Sequence, residues 1–210
     1  MSATRTTARS AGLLAAFALV SAGLIAVTHQ LTADRIRANQ RTAELAQLHS
    51  ILAPGAYDND LVSDTIRITA PDALGSEKPL TVYRARKDGD PVAAILTVVA
   101  PDGYNGPIRL LVGIRANGEV AGVRVLEHDE TPGLGDGIEA SKSEWIEQFR
   151  GTKLGKPPRE DWDVRQDGGE FDALTGATIT PRAVVDALRR ALAYFEANRE
   201  RLFAATESSP

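Results

Sequence analysis

The sequence contains no cysteine and only three histidines, His29, His49 and His128. Disulfides, iron–sulfur clusters, thioether-linked haem and thiol catalysis are therefore excluded. No two of the histidines lie close enough along the chain to suggest a zinc site. We therefore predict no metal site in this protein. Aromatic residues are also scarce, at 5% of the chain.

Charge of one sign does not dominate either. The 210 residues include 24 Lys and Arg and 28 Asp and Glu, for a formal net charge of −4. A mildly acidic chain without basic blocks is a poor nucleic-acid binder, so we predict no nucleic-acid partner. With 43% hydrophobic and 25% charged residues, the composition is typical of a globular domain, and the length suits one domain plus an appendage.

One long segment has no charged residue at all, from Ser10 to Ala33. Its densest part, AGLLAAFALVSAGLIAV at 11–27, is apolar all round and has the length of a short membrane span, which needs about 17–25 residues. A cleaved signal peptide would have a shorter apolar core of about 7–15 residues. A buried core helix would present a polar face. A single uncleaved span over residues 11–33 explains the pattern best, and the other two interpretations stay open.

The organisation predicted around this span follows from its position. Basic residues flank it on both sides, so their distribution does not decide its orientation. A very short tail before it and a large domain after it favour a cytoplasmic N-terminus. The predicted order is a short cytoplasmic tail (1–10), the transmembrane anchor (11–33), a helical linker (34–54), an extracytoplasmic domain (55–205) and a disordered tail (206–210).

The sequence in the middle of the chain predicts a series of strands. VAAILTVVA at 92–100 is an almost wholly apolar run between two prolines, which is typical of a strand buried on both faces. The runs 108–114 and 120–128 flank Asn117-Gly118 and predict a β-hairpin. Shorter strands are expected at 61–70, 80–85 and 162–165. These elements predict an α+β fold with a mixed or antiparallel sheet.

Helices are expected to flank that sheet. SKSEWIEQF at 141–149 predicts a short helix. The clearest element starts at Thr180-Pro181, where Thr is a good N-cap and Pro is favoured at the first helical position. Apolar residues recur after it at helical spacing, so we expect a long amphipathic helix.

Just before that helix stands Asp172-Ala-Leu-Thr-Gly-Ala-Thr-Ile-Thr180. It is a turn of small residues with three hydroxyls, on Thr175, Thr178 and Thr180, and it leads into a helix N-terminus that attracts anions such as phosphate. In a simpler interpretation Thr180 caps the helix and Gly176 makes the turn. The residues alone favour the simpler interpretation.

The segment resembles the flavinylation motif Asp-x-x-Ser/Thr-Gly-Ala-Thr-x-Ser/Thr of extracytoplasmic FMN-binding domains. Further stretches resemble one branch of that family, the G subunit of the Rnf electron transport complex. They are GYNGPIRLLVGI (103–114), GVRVLEHDETPGLGD (122–136), KSEWIEQF (142–149) and DGGEFDALTGATITPRAVVDAL (167–188). The resemblance covers residues 11 to about 195. Gly137 departs from it, because a Lys is expected there.

The resemblance implies that Thr178 carries FMN through a phosphodiester bond. A Thr hydroxyl needs activation to act as a nucleophile, and the family uses a separate flavin transferase with FAD as the donor. Asp172 is then part of the signal that the transferase reads, or else a surface carboxylate. Residues of the same motif are expected around the cofactor: Thr175, Gly176, Ala177 and Thr180.

The loop 130–135 is the candidate for the other wall of the flavin site. Gly133 and Gly135 would allow close backbone approach, Leu134 could cover the ring, and Thr131 could bond to a ring heteroatom or the ribityl chain. Glu130 opens the loop and is included among the cofactor-binding candidates. Alternatively, the glycines serve only the backbone geometry of a tight loop.

The function implied by the resemblance is a membrane-anchored electron carrier with covalent FMN. It would serve a complex that couples electron transfer between ferredoxin and NAD to ion translocation in the cytoplasmic (inner) membrane. Other membrane subunits would be its partners, and the chain itself would hold no catalytic residue. Three alternatives stay open: the equivalent subunit of a sodium-pumping NADH:quinone oxidoreductase, a free-standing flavin carrier, and a membrane-tethered binding domain without redox function.

Overall fold

The computed structural model describes residues 2–204, with side chains described at residue 12 and from residue 14 onward. The predicted tail 206–210 lies outside the described residues. The chain divides into two units, one that ends at Glu44 and one that begins at Leu45. The predicted N-terminal tail, the predicted membrane span and residues 34–44 of the predicted linker fall in the first unit.

One helix, α1 (Ser2–His49), forms the described part of the first unit and ends within the second. Its large apolar side chains are exposed from Leu14 to Leu31, as Phe17 (73%), Leu24 (65%) and Leu31 (75%) illustrate. From residue 14 this helix is long and apolar enough to cross a membrane, by length and composition, and it alone meets that test among the described helices. The predicted anchor and the start of the predicted linker lie within this single helix.

The second unit is built around a five-stranded sheet. The strands run in the order β1-β2-β3-β4-β5, and every neighbouring pair is antiparallel. The α+β prediction is confirmed, and of the two sheet types expected the sheet is antiparallel. The strands are β1 (Thr65–Ile68), β2 (Leu80–Lys87), β3 (Asp90–Ala100), β4 (Ile108–Arg115) and β5 (Val120–Glu127).

Two apolar clusters cover the two faces of this sheet. On one face α3 (Ile179–Phe203) packs its apolar stripe into the larger cluster, which includes Leu96 of β3. On the other face the segment after α1 packs Ile51 into a smaller cluster, which includes Ile95. Successive residues of a strand point to opposite faces, so β3 is buried on both sides, as its apolar run predicted.

The remaining elements are short. One α-helical turn, α2, spans Pro71–Leu74. Five 3-10 helices complete the described chain: Pro54–Ala56, Gly135–Ile138, Trp145–Phe149, Arg159–Asp161 and Arg165–Asp167.

Two strand predictions were wrong in whole or in part. Residues 162–165 do not form a strand; the buried side chain of Trp162 lies between two 3-10 helices, and only Val164 makes an isolated bridge, to Phe171. The run predicted at 61–70 is a strand only from Thr65 to Ile68, because residues 63 and 64 form a turn whose N–H groups donate to the carbonyl of Asp60.

Two helix predictions also need correction. The helix expected over 141–149 is confined to a 3-10 helix at Trp145–Phe149, where Ser143 Oγ accepts from the Trp145 N–H at 3.1 Å. The long helix is present, but it begins at Ile179 with Thr178 as its N-cap residue. Thr180 is therefore not the cap. Its side chain is buried and donates a hydrogen bond to Glu130.

Candidate functional site

A tight turn fixes the segment that carries the threonine motif. The Ala177 N–H donates to the carbonyl of Leu174 at 3.1 Å, which closes a four-residue turn. Gly176 has φ of +81° in this turn, a left-handed conformation that glycine adopts at low cost. A Cβ on Gly176 would also lie 2.9 Å from Leu134 Cδ2. The glycine thus permits both the turn and the contact with the facing loop.

Thr178 comes directly after this turn, at the N-terminus of α3. Its side chain is half-buried and makes no capping hydrogen bond to the helix. Among the described residues its hydroxyl has no hydrogen-bond partner, so no base is hydrogen-bonded to it. Its carbonyl accepts from the Arg182 N–H at 3.4 Å, while the N–H groups at the start of the helix are free to attract an anion. The geometry offers an available hydroxyl beside an anion-favouring helix end.

A cavity of about 400 Å³ opens beside this hydroxyl. Ligand pockets in proteins span about 300–1,000 Å³, so the cavity is large enough for part or all of a nucleotide-sized group. Two stretches of the chain that are about 40 residues apart form most of its wall. The lining residues are Tyr104, Glu130, Thr131, Leu134, Gly135, Gly176, Ala177, Thr178, Ile179 and Thr180.

The rim of the cavity is unusually apolar for a protein surface. Tyr104, Leu134 and Ile179 are 64%, 44% and 46% exposed. In the described part of the second unit, these three are the exposed large apolar side chains, and all three line this one cavity. Exposed apolar groups gathered around a concave site typically mark a binding site. The arrangement suits a ligand with a flat apolar portion.

The floor of the cavity holds a buried carboxylate. Glu130 is only 5% exposed. Its Oε1 accepts from the Asn105 N–H at 3.2 Å, and its Oε2 accepts from the hydroxyl of Thr180. Cβ atoms on Gly103 or Gly135 would come within 2.8 Å and 2.6 Å of the carboxylate oxygens. Two glycines therefore make room for this charge, and Gly135 serves the carboxylate rather than only the backbone of its loop.

The structure brings together most of the residues proposed from the sequence, but not all of them. Eight of the candidates line the cavity beside Thr178. Thr175 and Gly133 line instead a neighbouring cavity of about 550 Å³ on the other side of Leu134. Thr131 Oγ1, a candidate partner of the cofactor, accepts a hydrogen bond from Asn105 Nδ2 at 3.1 Å.

Asp172 lies apart from both cavities. It is exposed, and its Oδ1 is 2.8 Å from Arg165 Nη1. Its backbone is held firmly, since its N–H donates to Gln148 Oε1 at 2.7 Å and its carbonyl accepts from Trp145 Nε1 at 2.6 Å. It lines a polar surface cavity of about 570 Å³. The motif therefore presents its carboxylate on a different surface from its Thr178 hydroxyl.

A histidine holds the loop that begins at Glu130. The Nδ1 of His128 accepts from the Glu130 N–H, and its Nε2 is 3.0 Å from Glu139 Oε1. Because Nδ1 is an acceptor, the ring proton lies on Nε2 and is donated to Glu139. This hydrogen bond lowers the pKa of Glu139, while partial burial opposes the change.

The residue that departs from the family pattern, Gly137, lies behind the loop. Its carbonyl accepts from Ser143 Oγ at 2.6 Å, and a Cβ there would lie 3.0 Å from Leu174 Cδ2. Lys142 is close by, with its Nζ 3.7 Å from Asp136 Oδ2. A nearby cation is thus present on this side of the loop despite the glycine.

Four residues of this site were not among those predicted from the sequence. Tyr104 and Ile179 form two of the three apolar walls, and Asn105 and His128 hold the Glu130 loop. Tyr104 and Asn105 stand in the Gly- and Pro-rich turn 103–107, to which the sequence assigned no side-chain role. Exposed apolar residues within such a turn are the signal that could have singled out Tyr104.

Two models of known protein families match parts of this chain. The model of the FMN-binding domain family matches residues 103–193, a range that contains every residue lining the cavity. The model of the RnfG N-terminal region matches residues 1–51 and so covers α1. The chain thus contains an RnfG-type N-terminal region and a segment that matches the FMN-binding domain.

Individual proteins are also similar to this chain over most of its length. A protein of Pseudomonas aeruginosa (strain UCBPP-PA14) is 50% identical over 205 residues, covering 98% of this chain and 96% of the relative. Proteins of Shewanella loihica (47% identity, 94% and 93% coverage) and Vibrio cholerae (46% identity, 90% of each chain) are also similar. All three are named as the G subunit of an ion-translocating oxidoreductase complex. The chain belongs to this family of G subunits, which confirms the resemblance found in its motifs.

Proposed function

We propose that this protein is a single-pass membrane electron carrier in which FMN is joined to Thr178 by a phosphodiester bond. It would act as the G subunit of an ion-translocating oxidoreductase complex, the assembly named for its relatives. The electrons would pass between ferredoxin and NAD through the complex as a whole. The observation that carries the proposal is the cavity beside the unpartnered Thr178 hydroxyl, within an FMN-binding domain.

The residues of the cavity fit this cofactor. Tyr104, Leu134 and Ile179 offer apolar walls for a flat ring system, and the free N–H groups at the start of α3 lie where a phosphate on Thr178 would be attached. FMN, when bound, supplies reversible uptake and release of electrons. The chain's own residues hold the group, shield part of it from water and surround it with fixed charges.

Attachment requires a phosphoryl-transfer step that this chain does not perform by itself. The Thr178 oxygen forms a bond to the phosphorus that bears the riboflavin half of FAD. The bond from that phosphorus to the bridging oxygen breaks, AMP leaves, and the hydroxyl proton is released. No oxidation or reduction takes place in this step. Because the Thr178 hydroxyl makes no hydrogen bond to a base in the described structure, a separate flavin transferase supplies the activation.

Asp172 is the proposed recognition point for that transferase. Its carboxylate lies on the surface and its backbone is fixed by Trp145 and Gln148. A rigid, exposed charge six residues before the acceptor suits recognition by another protein. A neutral Asp172→Asn variant is expected to fold normally and to be modified more slowly than the wild type.

We place the FMN-binding domain on the periplasmic side of the inner membrane, with α1 as the anchor. A covalent cofactor suits a compartment without a pool of free FMN, because it cannot dissociate. Fusions of the C-terminus to alkaline phosphatase should be active on this account, and fusions to a cytoplasmic fluorescent reporter should be dark. The opposite pattern would place the domain on the cytoplasmic side.

The attachment site is tested by expressing the full chain together with a flavin transferase. After denaturing electrophoresis, the wild-type band should fluoresce as flavin does. Thr178→Val keeps the shape of the side chain but removes the hydroxyl, so its band should be dark. Thr69→Val is the matched control, because Thr69 is exposed and lies outside the motif and outside both cavities, and it should retain the flavin.

Two outcomes would contradict the proposal. A fluorescent Thr178→Val band would place the attachment elsewhere. A dark wild-type band, with a second flavinylated protein in the same cells serving as proof that the transferase works, would show that this chain does not carry covalent flavin.

A further inference from the structure

One buried charge at the site is not neutralised by a cation. Glu130 is 5% exposed, and no Lys or Arg of the described chain forms an ion pair with it. A second buried carboxylate, that of Asp136, does have such a partner, since Lys142 Nζ lies 3.7 Å away. Burying a carboxylate without a cation is costly. The chain nevertheless retains this one on the floor of its main cavity.

The contacts of the Glu130 carboxylate are hydrogen bonds from neutral donors. Both of its oxygens accept hydrogen bonds, one from the backbone N–H of Asn105 and one from the hydroxyl of Thr180. The start of α3 adds the positive end of a helix dipole on the same side. The negative charge is thus held by dipoles, without being cancelled by an opposite charge.

The charge faces the cofactor space directly. Glu130 lines the same cavity as Thr178. Its position is fixed from three segments: the turn at Asn105, the loop it opens and the first turn of α3. Gly103 and Gly135 leave the room that the carboxylate occupies. A charge fixed this firmly cannot swing away when the charge of a bound group changes.

We propose that the Glu130 carboxylate tunes the electron affinity of the bound flavin and holds its reduction potential low. Reduction adds negative charge to the ring system, and a fixed negative charge in the same poorly solvated cavity opposes that addition. The inference rests on the proposed attachment of FMN at Thr178. It concerns the energetics of that site rather than its existence.

The test is a potentiometric titration of the full-length, flavin-loaded protein in detergent, with dithionite as the reductant and mediator dyes. Glu130→Gln keeps the shape of the side chain and removes its charge. We expect a more positive potential, with the ratio of reduced to oxidised flavin at a fixed poise rising about tenfold. That change equals about 30 mV for a two-electron couple or about 59 mV for a one-electron couple.

A matched control separates a specific effect from a general loss of charge. Asp136→Asn removes the neighbouring buried carboxylate, which is paired with Lys142 and lines the other cavity. Its potential should stay close to that of the wild type. Equal shifts in both variants would overturn the inference, since they would show that the particular position of Glu130 has no special effect.

A second variant keeps the test decisive if Glu130→Gln does not fold. The double replacement Glu130→Met with Thr180→Val removes the carboxylate and its hydroxyl donor together, so the Asn105 N–H is the one donor of this contact that loses its acceptor. It should show the same positive shift. An unchanged reduction potential in a folded, flavin-loaded variant would overturn the inference and show that Glu130 has only a structural role.

The two proposals fail in different ways. Absence of covalent flavin from the wild-type protein overturns the attachment at Thr178 and this inference with it. Full flavin loading of wild type and variants with identical potentials overturns only the role of Glu130.

Discussion

The hydroxyl of Thr180, in the first turn of α3, donates a hydrogen bond to the buried carboxylate of Glu130, which stands fifty residues earlier in the chain. This contact joins the loop 130–135 to the segment that presents Thr178. It also explains why a threonine at a helix start does not cap the helix: its side chain is used across the site instead.

Thr180→Val should therefore destabilise the protein. It removes the donor and leaves one buried oxygen of Glu130 without a partner, which typically costs about 1–3 kcal/mol. Chemical denaturation of the unmodified full-length protein in detergent measures the effect. Thr175→Val is the control, because Thr175 is exposed, and its change should stay within about 0.5 kcal/mol. Equal losses in the two variants would contradict this role of Thr180.

Gly176→Ala should be more costly than Gly133→Ala. Both glycines have positive φ, +81° and +78°, so both substitutions carry a backbone penalty of about 1–2 kcal/mol. Only at Gly176 would the new Cβ also meet Leu134, at 2.9 Å, whereas the space at Gly133 is open. The difference in unfolding free energy between the two variants measures this contact.

A double-mutant cycle checks the cause of that difference. Adding Leu134→Ala to Gly176→Ala removes the atom that the new Cβ would meet. Relative to the Leu134→Ala background, the cost of Gly176→Ala should fall to that of Gly133→Ala. A cost that does not change in this background would assign the difference to something other than Leu134.

The far end of α3 is held by arginines of β2. Arg84 Nη1 donates to the carbonyl of Ala204 at 2.6 Å and its Nε donates to Asp64 Oδ1 at 2.6 Å, and the Arg84 side chain is 6% exposed. Arg84→Met keeps the length but leaves these acceptors unpaired. We expect a loss of about 2–3 kcal/mol in unfolding free energy.

Arg109→Met is the matched control for that substitution. Arg109 is 48% exposed, and its Nη1 lies 3.9 Å from Glu127 Oε2 at the surface. Exposed pairs of this kind contribute about 0–1 kcal/mol. If Arg109→Met were as destabilising as Arg84→Met, the arginine at the helix end would have no special part in stability.

Acid should weaken the protein partly through Glu139. The hydrogen bond from His128 makes the pKa of this carboxyl lower in the folded than in the unfolded protein. The stabilisation is therefore complete above the ordinary carboxyl pKa and is lost as the pH falls through the lower folded value. Thermal unfolding of wild type and Glu139→Gln, measured from about pH 7 to about pH 3, should show a gap that closes toward acid pH. A gap of constant size would exclude this linkage.

The fold was predictable wherever a pattern was local. The apolar run at 92–100 identified the central strand, and Asn117-Gly118 marked the hairpin formed by β4 and β5. The amphipathic period after Pro181 revealed α3. The strand predicted at 162–165 failed because burial of Trp162 depends on a partner outside that run: its ring packs against that of Phe171 with centroids 4.9 Å apart.

The candidate site was predictable only where a sequence motif indicates its chemistry. Thr178 and the loop 130–135 have such motifs, and the structure places Thr178 and four residues of that loop around one cavity. The parts of Tyr104, Asn105 and His128 depend on which turns meet in space. The start of α3 was misjudged for the same reason, since Thr180 satisfies the usual capping preference but is used by Glu130.

The central claim concerns one covalent bond, between the phosphate of FMN and the hydroxyl of Thr178. Intact mass spectrometry of the full chain, made in cells with an active flavin transferase, tests it most directly. The account predicts a mass increase equal to FMN less one water, which fragmentation assigns to the peptide that contains Thr178. An unmodified polypeptide, or the same increase on a peptide without Thr178, would contradict it.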